Sequence, residues 1–405
     1  MDIPPDLLQE IFIRLPCKDV VVSKCVCRSW YNLLSHPHFT ANYTINSPFT
    51  AVFSDHLNPK SFSLLQLGQN GGLIPTPINP KLPGYPAEKL DSNNSDLQFI
   101  GTRNGLLFLL LRIRSRNRTI EKIYFFDPIF DECVEIVENK VAGAEFGYEY
   151  TIGYVPEIET YKILRFVYDD NQQVLRAKIL SVGVDHDWRI LEDPFTLLFP
   201  LSNGISFKGF HHWVSTNPNL DWICTFGLLD EKCSGIPKPR ELKQLSHEKM
   251  NLRVLNNDRF SLIDVSVWGE ITIWTMEEYG VADSWSKNVI SCFSINGFPW
   301  ELRRSDYHII TAFPNEDILL SQKGGTTFFY ISSERKQSTK VEIPDKSSSM
   351  TNATAFVPRF YRIKEDSTSG VLHRTRNRNV LSSRVDVSTL PSRLKLSFKR
   401  LLGFV

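Results

Sequence analysis

The sequence predicts a multidomain α+β chain: a small three-helix segment, then an all-β repeat domain of the β-propeller type with about six blades, then a flexible basic C-terminal tail. Three observations predict it. Apolar residues in the first 45 positions recur at helical spacing. Short β-rich segments recur at a period near 50 from residue 51 to about 345. Beyond Arg359, basic side chains far outnumber acidic ones. The expected boundaries are 1–45 for the helical segment, 46–97 for a linker with a looser first β repeat, 98–345 for the β-domain and 346–405 for the tail.

In the helical segment, Asp6 with Gln9 three residues later has capping-box spacing, ahead of Leu7, Leu8, Ile11, Phe12 and Leu15. Pro16 ends this first helix. A second fits Lys18 to about Ser23, where the β-branched run Val20-Val21-Val22 weakens it slightly. A third fits Val26, Trp30, Leu33 and Leu34, until His36-Pro37 stops it. Ile11, Phe12 and Ile13 point in three directions, and segments below about 40 residues rarely stabilise themselves. The segment should therefore dock onto a partner or onto the rest of the chain.

The repeats pair a β-rich run with a polar turn and a second apolar run, as in Tyr124-Phe125-Phe126-Asp127-Pro128 followed by Cys133-Val134-Glu135-Ile136. With Asp127, Ser181, Leu228, Met276 and Ser332 as markers, the intervals are 54, 47, 48 and 56 residues. Another strand-like run precedes each marker, such as Leu106 to Leu111. A looser copy at Ala51-Val52-Phe53 and Phe62 to Leu67 brings the count to about six. This is the kelch length class of propeller blade. A β-sandwich is the competing architecture, because strand spacing alone does not distinguish radial closure from two stacked sheets.

The 46 Lys+Arg against 45 Asp+Glu give a net charge of +1. With 42% hydrophobic and 12% aromatic residues, this excludes a wholly disordered chain and a basic coat for nucleic acid. The balance hides an asymmetry. From Arg359 onward eleven basic residues face Glu365, Asp366 and Asp386, a net +8, which leaves residues 1–358 with 35 basic and 42 acidic residues, a net −7. Residues 346–386 are rich in Ser, Thr, Asn and Arg and should be flexible. Leu390, Leu394, Phe398, Leu401, Leu402 and Val405 then recur at helical spacing, a short basic amphipathic helix suited to an anionic membrane surface, an acidic protein surface, a nuclear import receptor or the acidic body itself.

Acidic residues interrupt the first thirty positions, and Leu106 to Leu111 is far too short to span a bilayer. Seven scattered cysteines with no C-x-x-C pair fit reduced thiols, so the expected location is the cytoplasm, the nucleus or both. Cys25-x-Cys27 is read as packing.

The nucleophile-elbow, zinc-protease, P-loop and dinucleotide signatures are missing, and no catalytic residue, metal ligand or cofactor is nominated. The adjacent His211 and His212 fall on opposite faces of any regular strand and do not converge on one ion. Trp188, Trp274 and Trp285 recur at repeat positions, as blade packing would have them. Trp222 and Trp300, beside Asp221 and Pro299, are the candidates for surface recognition of a substrate.

Ile3-Pro4-x-Asp6-Leu7-Leu8-x-x-Ile11 with Arg14-Leu15-Pro16, then Lys24-Cys25-Val26-Cys27-Arg28-Ser29-Trp30, then Leu33-Leu34-Ser35-His36-Pro37-x-Phe39, resembles an F-box over residues 2 to about 44. From about 98 to 345, the series Asn104-Gly105-Leu106-Leu107, Phe126-Asp127-Pro128, Trp188-Arg189, Gly209-Phe210-His211-His212-Trp213 and Ile273-Trp274-Thr275-Met276 resembles the F-box-associated domain of plant F-box proteins, with Asp127 where that family more often has Asn.

The resemblance implies a substrate receptor of an SCF-type (Skp-cullin-F-box) ubiquitin ligase. Ile3, Pro4, Leu7, Leu8, Ile11, Leu15 and Pro16 would contact a Skp-type adaptor and, through it, a cullin. Val26 and Trp30 would be shared between contact and internal packing. The β-domain would hold an unidentified protein substrate, with no chemistry of its own and no nucleic-acid partner. Two alternatives are an adaptor-bound scaffold that never ubiquitinates and a propeller-fold glycan hydrolase, the latter requiring two convergent carboxylates that spacing does not nominate.

Overall fold

The computed structural model of the chain describes residues 4–46, 50–55, 62–67, 73–85, 94–115, 118–142, 145–169, 174–191, 204–215, 220–242, 249–255, 259–298, 307–312, 316–322, 327–342 and 350–358. Trp300, Ile3 and the expected C-terminal amphipathic helix lie outside these residues.

Four helices open the chain where three were expected: α1 (Pro5–Ile13), α2 (Cys17–Ser23), α3 (Arg28–Ser35) and α4 (Pro37–Asn46). His36-Pro37 does stop α3, since His36 is extended, with ψ 135°, as the residue before a proline prefers. The same proline then starts α4, because the first helical position needs no N–H donor. Phe39 and Tyr43 of α4 are buried, and the Tyr43 hydroxyl donates to the Leu15 carbonyl at 2.8 Å, closing the four helices on one another.

The described β residues form 24 strands in six four-stranded antiparallel sheets. Blade 1 holds β1 (Thr50–Asp55), β2 (Phe62–Leu67) and β3 (Leu73–Ile78). Blade 2 holds β4 (Ser95–Arg103), β5 (Leu106–Ser115), β6 (Arg118–Asp127) and β7 (Glu132–Ala142). Blade 3 holds β8 (Glu145–Val155), β9 (Thr160–Asp169), β10 (Val174–Ser181) and β11 (Arg189–Ile190). Blade 4 holds β12 (Ile205–Phe207), β13 (Phe210–Trp213), β14 (Trp222–Gly227) and β15 (Cys233–Pro237). Blade 5 holds β16 (Met250–Leu255), β17 (Arg259–Asp264), β18 (Glu270–Met276) and β19 (Trp285–Ser291). Blade 6 holds β20 (Tyr307–Ala312), β21 (Ile318–Gln322), β22 (Thr327–Ser332) and β23 (Gln337–Glu342).

The final strand, β24 (Met350–Ala355), returns to blade 1 and pairs with β1, Ala355 opposite Ala51. The innermost strands then touch in a closed circuit: β24 against β4, β4 against β8, β8 against β12, β12 against β16, β16 against β20, and β20 against β24. That circuit makes the domain a six-bladed propeller and not a sandwich. The looser first repeat expected within 46–97 is the first blade, over residues 50–78, and 350–355, expected in the tail, is a strand inside the ring. A polar strand such as Met-Thr-Asn-Ala-Thr-Ala carries almost no apolar signal. It is held by its ladder to β1 and by its place between blades.

The apolar run Leu106 to Leu111 shows how blades pack. Leu107, Leu109 and Leu111 belong to the cluster shared with blade 1, and Leu106, Phe108 and Leu110 to the cluster shared with blade 3. Side chains alternate across a strand, so a strand buried on both faces must be apolar at every position. Fully burying each such side chain contributes about 1.5–3 kcal/mol. Blade 5 repeats the pattern, with Ile263, Ile271 and Ile273 toward blade 6 and Phe260, Leu262, Trp274 and Met276 toward blade 4.

In blades 2 to 6 the connections between first and second strands, and between third and fourth, lie at one end of the ring. At Asn104-Gly105 and Lys208-Gly209 both turn residues have positive φ (49° and 71°, 46° and 76°), the tight hairpin geometry that suits glycine in second place. The helical domain sits at this end. Its buried Leu8, Phe12, Leu15, Cys17 and Phe39 share one cluster with Val52, Phe62 and Leu64 of blade 1 and with Ile129 in the β6–β7 turn of blade 2. The expected docking of the helices is thus met within the chain. The opposite, distal end carries the second-to-third strand turns and the connections between blades.

Candidate functional site

On the helical domain, periodicity sorts the expected contact residues into two sets. Leu8, Phe12 and Leu15 follow i, i+4, i+7 and face inward, so Leu8 and Leu15 are buried in the cluster with blades 1 and 2. Both were expected among the adaptor contacts, and in this chain both are buried. The neighbouring stripe faces solvent: Pro4 is exposed, Leu7 is 57% exposed, and Ile11 and Pro16 are half-buried. Val26 and Trp30 are half-buried, and the Trp30 ring meets Phe12 edge-on at 4.8 Å. Val22 and Tyr31 are also exposed, and motif matching did not nominate them. Cys25 and Cys27 are exposed at the α2–α3 turn, which corrects the packing assignment, whereas Cys17 is buried and burial holds its thiol well above the usual range.

Inside the propeller the buried polar groups tie neighbouring blades together. Glu121 on β6 lies 3.1 Å from Arg165 on β9, accepts the Arg112 Nε–H at 3.0 Å, and accepts the Tyr150 hydroxyl of β8. Arg165 Nε in turn donates to the Tyr150 oxygen at 2.8 Å. Burial pushes the Tyr150 phenol far up, so it stays a donor. The other buried carboxylates hold local structure. Asp127 accepts the Ile129 and Phe130 N–H groups, Asp264 accepts that of Ser266, and Asp317 accepts Ser333 N–H and the Tyr330 hydroxyl.

His211 and His212 on β13 face opposite sides, as alternation requires. His211 lies 3.2 Å from Thr151 of blade 3 and from Ser206, and His212 Nε2 lies 2.6 Å from the Tyr279 hydroxyl of blade 5. Burial lowers both, His211 to about 3 and His212 to about 4, so both rings are neutral bridges between blades.

The distal end presents aromatic side chains. Trp222 opens β14, is 43% exposed, and lies over Gly235, where a Cβ would come within 2.3 Å of the indole. In blade 5, Trp268 sits in the β17–β18 turn and Phe293 follows β19. They are 53% and 63% exposed, with rings meeting edge-on at 5.5 Å. Trp188 and Trp285 are half-buried and Trp274 is buried in the inter-blade clusters, which leaves Trp222 and Trp268 as the exposed indoles among the described residues.

Residues 87–363 match the model of the F-box associated beta propeller domain, and residues 1–42 match that of the F-box domain. The chain belongs to the F-box-associated β-propeller family. Among its relatives in Arabidopsis thaliana, F-box protein At3g07870 is 24% identical over 318 residues, covering 70% of this chain and 71% of the relative. F-box/kelch-repeat protein At3g23880 is 21% identical over 303 residues, covering 71% and 78%.

The family match runs through β24 and past it. Within this F-box-associated propeller, the F-box occupies the end bearing the Asp127 turn, and Trp222, Trp268 and Phe293 occupy the other. Trp268 escaped the sequence reading because Val-Trp-Gly reads as an ordinary turn. Its signal was an indole beside a glycine and out of phase with the alternating Ile263, Val265, Val267, Ile271 and Ile273.

Proposed function

We propose that this chain is the substrate-recognition subunit of an SCF-type ubiquitin ligase, working in the cytoplasm, the nucleus or both. Its F-box docks a Skp-type adaptor and through it a cullin. Its propeller holds a protein substrate, and the chain itself performs no bond chemistry but supplies proximity. The observation that carries this proposal is the two-sided F-box: one stripe of α1 is buried against the other helices, in one cluster with residues of blades 1 and 2, and the adjacent stripe through Pro4, Leu7 and Ile11 remains available. An apolar stripe left out beside a buried one fits a partner groove. Among the described residues the buried carboxylates are each engaged by backbone N–H groups, a tyrosine or an arginine, which lends the glycan-hydrolase alternative no support.

The test is capture of purified Skp-type adaptor by the full chain. Leu7→Glu should weaken capture at least tenfold and leave the unfolding transition in place, since Leu7 is exposed. Unchanged capture by the Leu7→Glu chain would remove the docking assignment. Proximity labelling with and without proteasome inhibition then names the substrate. Labelled proteins that never accumulate on inhibition would favour the non-ubiquitinating scaffold.

A further inference from the structure

The aromatic pair at the distal end of blade 5 is built into the backbone. Gly269 has φ +77°, and a Cβ there would come within 2.6 Å of the Phe293 ring, so only glycine leaves the ring its seat. The turn is fixed by the Glu270 N–H bound to the Val267 carbonyl at 3.2 Å, and the Phe293 segment is fixed to it by the Cys292 N–H bound to the Gly269 carbonyl at 2.8 Å. Two large rings and Val267, 49% exposed, are thereby held at the surface on a hydrogen-bonded frame.

A carboxylate accompanies them. Glu270 closes the same turn and pairs across the ladder with Ser291, two residues before Phe293. It is half-buried, and among the described residues it has no ion pair or side-chain hydrogen bond. Ring faces attract cations, and a planar guanidinium stacks on an indole while its N–H fork meets a carboxylate. A purely apolar occupant would leave Glu270 desolvated and unpaired, which is costly.

We propose that Trp268, Phe293 and Glu270 form a recognition site for an arginine side chain presented by an extended segment of a protein partner. This deepens the receptor proposal, on which it rests, by naming the substrate chemistry. It also places the substrate at the end of the ring opposite the F-box, with Trp222 of the neighbouring blade at the same end to take a flanking apolar residue.

The experiment uses the full chain bound to its adaptor and a set of fluorescein-labelled twelve-residue peptides with identical flanks and a central Arg, Lys, citrulline or Glu. The Arg-centred peptide should bind saturably, the Lys peptide less tightly, and the citrulline peptide at least tenfold more weakly. Trp268→Ala and Phe293→Ala should each cost at least tenfold, Glu270→Gln at least threefold, and Glu270→Arg should shift preference to the Glu-centred peptide. Unchanged unfolding transitions in these exposed-site variants show that the ring is intact. Saturable binding of none of the peptides, equal binding of the Arg and citrulline peptides, or wild-type binding by Trp268→Ala would each overturn the inference. Adaptor capture is measured on the same preparations. Capture retained without peptide binding sinks this site alone, and capture lost in the wild-type chain sinks the receptor proposal.

Discussion

The Tyr43 hydroxyl reaches back 28 residues to the Leu15 carbonyl, joining the last helix of the F-box to the end of the first. Both residues are buried, so Tyr43→Phe leaves the Leu15 acceptor without its donor and without water. The cost should be about 1–3 kcal/mol. Urea unfolding followed by helical circular dichroism should show the F-box transition moving to lower denaturant, with the propeller transition less affected.

Glu121 and Arg165 make the second prediction. Each is buried, and removing one strands the charge of the other. Glu121→Gln or Arg165→Met alone should destabilise by about 3–5 kcal/mol, whereas an apolar replacement of both should cost less than the two singles together. Chemical denaturation of the two singles and the double tests it, and additive losses would mean that the pair is not coupled.

The third prediction concerns the end of the ring. A chain stopped after Ser349 lacks β24, leaving the β1 edge unpaired and the inner circuit open. It should aggregate or be cleaved within blade 1 under limited proteolysis. A chain stopped after Pro358 keeps β24 and Phe356, whose N–H binds the Thr50 carbonyl at 2.7 Å, and should unfold like the full chain. Equal behaviour of the two truncations would show that closure contributes nothing.

The two neutral histidines set a pH dependence. Their folded pKa values, about 3 and about 4, lie below the ordinary unfolded value near 6.5, so the unfolded chain binds more protons between those limits. Stability is therefore full above pH 6.5 and falls as pH drops, by at most about 1.4 kcal/mol per pH unit for each histidine. Urea midpoints from pH 7 to pH 5 should show this slope, and His212→Gln should flatten it.

The F-box was legible because its contacts are local: proline stops, helical period and the Leu-Pro elements lie within 40 residues. The blades were legible as a period because a strand buried on both faces, such as Leu106 to Leu111, must be apolar throughout. What escaped depends on distant partners. Met350 to Ala355 reads as tail until β1 is beside it, and the burial of Leu8 depends on the cluster formed by the other helices and the first blades. Leu7 and Leu8 are neighbours in one motif, and only the helix phase separates their roles. The exposure of Trp222 was legible from its turn-rich surroundings, and that of the Trp268–Phe293 pair was not, because the two rings meet only through the turn at Gly269.

Closure by β24 also sets a clock during synthesis. About 300 residues separate α4 from the strand that completes its platform, and at roughly 5–20 residues per second that interval lasts about 15–60 s. Through it the F-box has left the ribosome with blade 1 missing its innermost strand. The apolar cluster that the helices share with blades 1 and 2 is incomplete until then, so a nascent F-box offers more apolar surface to a chaperone than the finished protein does.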